Sequence, residues 1–336
     1  MDQGTLFPLS IRPTMRDVAN AVRGGGEEGL PGGVKRADEA TYQEVTCRSA
    51  LNHVEGMPFA WTLNPYRGCT HGCHYCFARR YHRQFELNAG DQFASIILVK
   101  TNFVEVLARE LSRPAWAREL VALGTATDPY QPIEGHYKLT RAAIVELAAA
   151  KTPVSIVTKG PMVVRDADVL LEATKAARCT VCISVPSVDE DAWRRLEPGT
   201  AHPLQRLRAV RTLTQAGVRA GVLMAPVVPG ITTSKRGLAA TISAIAAHGA
   251  AFVGANVLHL EGGTRDHFFE FLGREYPHLV DGYQRLYANG AKRVPREYAK
   301  AISAKVAELR EAIGLMERME LGATDALGAT GALGEK

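Results

Sequence analysis

Nearly continuous apolar runs alternate with helical stretches along most of this chain, and that alternation restricts the fold more than any other feature. Runs at residues 61–66, 120–125, 154–158, 180–185, 218–224 and 251–258 read as strands, and 139–150, 167–177, 203–216 and 234–247 between them read as helices. Gly217 and Gly249 follow two of those helices and suit their C-caps. A strand without polar alternation is buried on both faces, so these strands belong to a parallel sheet covered by helices. The run at 94–100, with a helix over 102–111 after it, reads as an extra strand inside the first crossover. Six such units from Trp61 to about Leu260 predict an α/β fold, an incomplete (β/α)6 barrel. A doubly wound sheet has the same local signals and is the competing topology.

The 336 residues suit one barrel with appendages or two domains, and 46% hydrophobic with 22% charged residues excludes a disordered chain. Six cysteines in such a length are not a disulfide framework. The net charge of +5 is compatible with a polyanionic partner without pointing to one. Residues 1–45, with Gly24-Gly25-Gly26 and Leu30-Pro31-Gly32-Gly33, read as a partly flexible N-terminal extension, 46–262 as the barrel, 263–320 as a helical C-terminal extension and 321–336 as a flexible tail. The extension's last helix is amphipathic through Ile302, Val306, Leu309, Ile313 and Met316. The same block carries Lys292, Arg293, Arg296, Lys300, Lys305, Arg310 and Arg318, either a solvated face or a phosphate-contacting surface. Residues 237–260 lack Asp, Glu, Lys and Arg, yet His248, Asn256 and His259 interrupt them, so they read as a buried helix and strand rather than a membrane span. The N-terminus shows no secretory h-region, and the expectation is a cytoplasmic protein with reduced thiols and no membrane partner.

The chemistry concentrates in Asn64-Pro65-Tyr66-Arg67-Gly68-Cys69-Thr70-His71-Gly72-Cys73-His74-Tyr75-Cys76, with spacing C-x3-C-x2-C. Three thiolates within eight residues repel one another unless a soft cation or a cluster joins them. Gly68 and Gly72 permit the turns that aim the sulfurs inward. Zinc needs a fourth ligand, for which His71, His74 and His82 are available, and the result would be a zinc-bearing binding module on a barrel scaffold. A [4Fe–4S] cluster held by Cys69, Cys73 and Cys76 leaves one iron open for a small molecule.

The Cys spacing, with Tyr75 just before the third cysteine, resembles the radical S-adenosylmethionine (SAM) superfamily. Asn64 to Gly68, then Gly124-Thr125-Ala126-Thr127-Asp128-Pro129-Tyr130-Gln131-Pro132-Ile133-Glu134, Thr158-Lys159, Leu196-Glu197-Pro198-Gly199 and Ala225-Pro226-Val227-Val228-Pro229-Gly230 resemble its branch related to spore photoproduct lyase, called DNA repair photolyase-like. The resemblance spans about residues 45 to 290 and implies a radical-SAM-type barrel, a [4Fe–4S] cluster and S-adenosylmethionine. It implies that the reduced cluster cleaves the cofactor to a 5′-deoxyadenosyl radical, which abstracts hydrogen from a substrate, with nucleic acid a candidate. The electron comes from a reductant such as flavodoxin or ferredoxin. It assigns Cys69, Cys73 and Cys76 to the cluster, and Tyr75, Thr127, Asp128, Lys159 and Ser184 to the cofactor.

Two departures separate the chain from spore photoproduct lyases. Those enzymes carry a hydrogen-returning Cys after the second strand, where this chain has Thr125-Ala126, and a Tyr after the third cluster Cys, where it has Phe77. The lyase reading is therefore a DNA-lesion repair enzyme without the usual thiol donor. Cys182 shares strand parity with Ser184 and faces the same side, whereas Cys179 falls on the opposite face. Arg79, Arg80, His259 and Glu261 are further polar residues near strand ends or the cluster loop.

Overall fold

The computed structural model describes residues 34–35, 40–81, 90 and 92–315. The glycine-rich N-terminal stretch, His82, Met316, Arg318 and the tail at 321–336 lie outside the described residues.

Eleven strands are described: β1 (Val34–Lys35), β2 (Thr41–Val45), β3 (Leu51–His53), β4 (Trp61–Leu63), β5 (Tyr66–Arg67), β6 (Ile96–Lys100), β7 (Val121–Leu123), β8 (Val154–Thr158), β9 (Cys179–Ser184), β10 (Ala220–Val227) and β11 (Val253–Val257). Strands β4, β7, β8, β9, β10 and β11 lie side by side in chain order and are all parallel, with β3 antiparallel on the outer edge of β4. A doubly wound sheet reverses its strand order at a switch point. This one does not, and right-handed crossovers then place every helix on the same face. Side chains from four helices, among them Leu147, Leu170, Leu213 and Ile242, pack with Val154, Ile156, Val181 and Val222 in one core. The pleat turns Ser155, Val157, Cys182 and Ser184 to the other, concave face. There Cys182 packs with Phe252, Val157 and Leu223, while Cys179 joins the helix-side core. β3 and β11 are the two ends of the sheet, so the six parallel strands form an open half-barrel.

The run at 94–100 does lie within the first crossover, but its first two residues belong to a short helix, Gln92–Ser95. Its strand, β6, joins a separate sheet of order β1-β2-β6-β5. The run at 61–66 is divided between both sheets. Asn64-Pro65 carries the chain from one to the other, and Pro65 has no N–H with which to continue the ladder. β2 pairs with β6 along its whole length, Thr41 opposite Ile96 through Val45 opposite Lys100, so the end of the 1–45 stretch is a strand of this second sheet.

The stretch at 237–260 forms most of helix Lys235–Ala247 and then β11, and Ser234 caps that helix by accepting from Gly237 N at 3.0 Å. Among the described residues no helix is long and apolar enough to cross a membrane. The C-terminal block holds the helices Gly263–Glu275, Val280–Leu286 and Arg296–Ala312. Phe268, Phe271, Tyr283 and Tyr287 build a second core that also contains Cys73 and Tyr75. Ile302 and Val306 face the main core as their spacing predicts. Arg310 does not belong to the solvated basic face: it follows Val306 by one turn and is buried with it.

Candidate functional site

The cysteine turn sits at the C-terminal ends of the parallel strands, and residues distant in sequence hold it there. Gly68 (φ +78°) and Gly72 (φ +60°) adopt the left-handed conformation that the turn requires. At Gly68 a Cβ would also lie 2.4 Å from the Ile96 carbonyl oxygen, which leaves no space for a side chain. The buried Arg79 guanidinium donates to the carbonyls of Gly72 (2.6 Å), Cys73 (3.0 Å) and Gly90 (2.7 Å) and packs over Phe93. Arg79 is thus a clamp on the turn. Arg80 instead reaches Glu261 at 2.5 Å, and Glu261 also accepts from Lys292. His259 bridges through its backbone to Arg293.

Opposite the turn, the loop after β7 supplies Thr127 and Gln131. Thr127 Oγ1 donates to the Gly68 carbonyl at 2.6 Å. Gln131, fully buried, donates to Thr127 Oγ1 at 3.0 Å and accepts from Thr70 N at 3.2 Å. Asp128 is buried, and its oxygens accept from Tyr130 N (2.8 Å), Thr158 Oγ1 (2.6 Å) and Lys159 N (2.6 Å), which ties the ends of β7 and β8 together. Burial would raise its pKa, but the His71 imidazole and these donors outweigh that and bring it down to about 2.

Lys159 and Ser184 follow β8 and end β9. Lys159 Nζ donates to Ser184 Oγ at 2.7 Å and lies 5.6 Å from the centre of the Tyr75 ring. Ser184 Oγ in turn donates to the Ala225 carbonyl at 3.1 Å. The Tyr75 hydroxyl donates to Glu197, whose other oxygen accepts from Arg206 at 2.5 Å. Lys159 stands 3.7 Å from the same carboxylate. Burial alone would raise the pKa of Glu197, yet the charges of Arg206 and Lys159 hold it below the usual carboxylate range. Tyr75, Lys159 and Ser184 are therefore brought together around a residue that carried no assigned role. Its signal was present, since Glu197 lies in the quoted Leu196-Glu197-Pro198-Gly199. Gln131 likewise lies in the Gly124-to-Glu134 stretch that carries the resemblance.

The donor set can be weighed against the two ions it suggested. Cys69 and Cys73 are buried and Cys76 half-buried. Burial pushes Cys73 and Cys76 up, and the neighbouring cysteine sulfurs push them further. Such thiols ionise together only against a strong cationic partner. Among the described residues no three His, Cys, Asp or Glu side chains converge on one point as a single metal ion requires. His74 stacks on Phe271 (4.4 Å) and its Nδ1 meets His267 Nε2 at 3.0 Å. His71 Nδ1 lies 3.2 Å from Asp128 Oδ2; burial lowers its pKa, but the negative charges of Cys69 and Asp128 outweigh burial and push it up to about 10. Three cysteines on one short turn are a donor set that a polynuclear cluster, with one iron per ligand, can take.

Comparisons with known proteins bear on the fold and the family. An uncharacterized protein of Mycobacterium tuberculosis (strain H37Rv) is 43% identical over 275 residues, 81% of each chain. An uncharacterized protein of Methanocaldococcus jannaschii is 26% identical over 188 residues, 56% of this chain and 68% of that one. Among solved structures, a mutant spore photoproduct lyase with bound AdoMet and dinucleoside spore photoproduct superimposes with a TM-score of 0.66 at 17% identity, covering 85% of each chain. Spore photoproduct lyase complexed with dinucleoside spore photoproduct gives 0.64 at 17% identity, over 89% of this chain and 87% of that one. Residues 63–240, just over half the sequence, match the family model described as the Radical SAM superfamily, and the chain belongs to that superfamily.

Proposed function

We propose that this chain is a radical SAM enzyme in which Cys69, Cys73 and Cys76 hold a [4Fe–4S] cluster and the ends of β8 and β9 hold S-adenosylmethionine. When bound and reduced, the cluster supplies the single electron that cleaves the cofactor to the 5′-deoxyadenosyl radical, which takes hydrogen from the substrate. The observation that carries the reading is the position of the cysteine turn. Arg79, Gln131 and Thr127 fasten it at the strand ends, facing the Lys159–Ser184 pair.

Each residue has a task of its own in this reading. Lys159 Nζ and Ser184 Oγ offer a cation and a hydroxyl for the cofactor's carboxylate. Glu197, turned toward Lys159 and Tyr75, is the anion for its amino group or ribose. Tyr75 lines a small cavity with Pro186, Ser187 and Trp193, on the side where adenine would pack. Thr127 and Asp128 contribute chiefly by position: the first fixes the cluster loop, and the second fixes the backbone that presents Lys159. The electron donor is a small reductant such as flavodoxin or ferredoxin, and the substrate class favoured here is nucleic acid. Spore photoproduct repair itself is not proposed, because Thr125-Ala126 and Phe77 lack the thiol and phenol described above.

The test is anaerobic reconstitution of the full chain. The expected product is a brown protein with about four irons per chain that makes 5′-deoxyadenosine when given dithionite and cofactor. Cys76→Ala is expected to abolish that product. A colourless wild-type protein, or one carrying a single zinc, would overturn the reading.

A further inference from the structure

Phe77 follows the third cysteine directly and opens the short turn Phe77–Tyr81. It is 46% exposed, and among the described residues it is the one Phe, Tyr or Trp that is exposed. Its neighbours Cys76, Ala78 and Tyr81 pack into a small core with Phe93, and Phe77 does not. Its ring nevertheless has fixed neighbours. Tyr81 meets it edge-on at 6.3 Å, and the Arg80 guanidinium lies 6.0 Å from its centre. Arg80 is itself tied down, by Glu261 at 2.5 Å and by the Tyr81 hydroxyl at 3.0 Å. Glu261 follows β11, so the ring stands at the C-terminal ends of the strands, where the cysteine turn lies. Lys292 pairs with the same carboxylate, and its chain neighbour Arg293 is exposed. An exposed ring with a guanidinium beside it and further cations close by has the composition of a stacking site on a phosphodiester strand. We infer that Phe77 is the platform on which an unpaired nucleobase of the substrate strand stacks, next to Cys76.

The chemistry favours a base over other occupants. A bare phenyl ring offers no hydrogen bond, so it takes any base by its π-face and reads no sequence. An aliphatic partner would gain little from the guanidinium, whereas a base stacks on the ring while the phosphates of its strand meet exposed cations such as Arg293. Glu261 would repel those phosphates, but Arg80 and Lys292 pair with it. Phe77 also lies outside the interactions that fasten the cysteine turn, which Arg79, Thr127 and Gln131 carry. Removing its ring therefore tests the strand and not the turn. The inference rests on the nucleic-acid reading proposed above and names a binding residue for that substrate.

The reconstituted full chain is titrated as wild type, Phe77→Ala and Phe77→Tyr with oligothymidylate, with oligouridylate and with an abasic strand of the same length. At iron content equal to wild type, Phe77→Ala is expected to bind a base-bearing strand about tenfold more weakly. Its salt slope should not change, because stacking releases no counterion. The strand that is affected names the sugar. Phe77→Tyr keeps the π-face and is expected to stay near wild type, and the abasic strand should bind all three proteins alike. Undiminished affinity of Phe77→Ala for both base-bearing strands overturns the inference and leaves the nucleic-acid reading standing, and an equal loss with the abasic strand does the same. A wild type that binds none of the strands overturns the inference and the nucleic-acid reading together, while its production of 5′-deoxyadenosine decides the radical reading separately. If Phe77→Ala does not retain iron, Phe77→Trp decides. Quenching of the added indole by a base-bearing strand but not by the abasic one supports stacking, and an unquenched indole at saturation refutes it.

Discussion

Arg206 and Lys100 are both buried cations, and the fold treats them in opposite ways. Arg206, fully buried, meets the Glu197 carboxylate at 2.5 Å and the Ser184 carbonyl at 2.8 Å, so its charge is compensated in place. Lys100, 3% exposed, donates to the Asn64 carbonyl at 2.6 Å and lies over Phe103, but a carbonyl is a partial charge and an aromatic face a weak one. Burial, together with repulsion from Arg67, lowers its pKa to about 7. The consequence for stability has a definite sign. An unfolded chain keeps the Lys100 proton up to about 10.5, its ordinary value, whereas the folded chain releases it near 7. Between those values the unfolded state binds more protons, so the Lys100 contribution improves as pH rises through that window and is least favourable below it. Lys100→Met keeps the volume and removes the titration. Relative to wild type, the variant is expected to gain on the order of 4 kcal/mol between pH 10 and pH 6, read from urea unfolding of both proteins across that range. Parallel pH profiles for the two would refute this.

At the scale of elements, the strands were legible because burial on both faces leaves a continuous apolar text. Val154–Thr158 forms the strand it predicts, and the 180–185 run forms β9 with a shift of one residue. The strand order was not legible, because the same runs serve a half-barrel and a doubly wound sheet. Nor was the division at Asn64-Pro65, since nothing local says that two halves of one run pair in different sheets. The short helix Glu190–Leu196 went unread although Asp189 caps it, accepting from Ala192 N at 2.9 Å. In the site, the cysteines were readable from spacing alone, whereas the groups that hold their loop come from far along the chain. Gly199 shows why such groups are hard to read. Its N–H donates to the His71 carbonyl at 3.1 Å, and an added Cβ would lie 2.2 Å from the Thr70 carbonyl oxygen. A glycine after Glu197-Pro198 looks like ordinary turn chemistry, but here it lets two backbones touch. Gly199→Ala must push the cluster loop aside, at a cost of about 1–3 kcal/mol, and the reconstituted protein is expected to lose iron on gel filtration. Gly273→Ala, in a helix with nothing within 4 Å of its Cβ position, is the control and should be neutral or stabilising by about 1 kcal/mol. Equal iron retention in both variants would refute a structural role for the 199–71 contact.

For the whole molecule, the one-sided placement of helices is what leaves a site at all. Among the described residues the crossover helices leave the concave face of the six strands uncovered, and it receives the cysteine turn at one end, where Lys159 and Ser184 meet it. The C-terminal block is part of this assembly, because Phe268 and Phe271 share a core with Cys73 and Tyr75, and Thr264 Oγ1 donates to the Cys76 carbonyl at 3.0 Å. Whatever approaches the open side of the site therefore meets this block as well, and Lys292, Arg293, Arg296, Lys300, Lys305 and Arg310 gather in its last part. Its charges are not equivalent. Lys292 is paired with Glu261 and Lys300 with Glu297, and Arg310 is buried. Among the described residues, Arg293, Arg296 and Lys305, like Arg285 of the preceding helix, are exposed and have no ion-pair partner, so they are among the cations able to release counterions from a phosphate backbone. A triple Arg293→Gln, Arg296→Gln, Lys305→Gln variant tests the nucleic-acid reading directly. Each phosphate contact adds about 0.7 to the slope of log affinity against log salt for a single strand. The variant is expected to bind single-stranded DNA or RNA more weakly at low salt and to flatten that slope by up to about 2. Its urea midpoint should not move, because exposed charges contribute little to the fold. Binding whose salt slope is the same in both proteins would direct the search for the substrate away from nucleic acid, without touching the cysteine turn or the residues proposed to hold the cofactor.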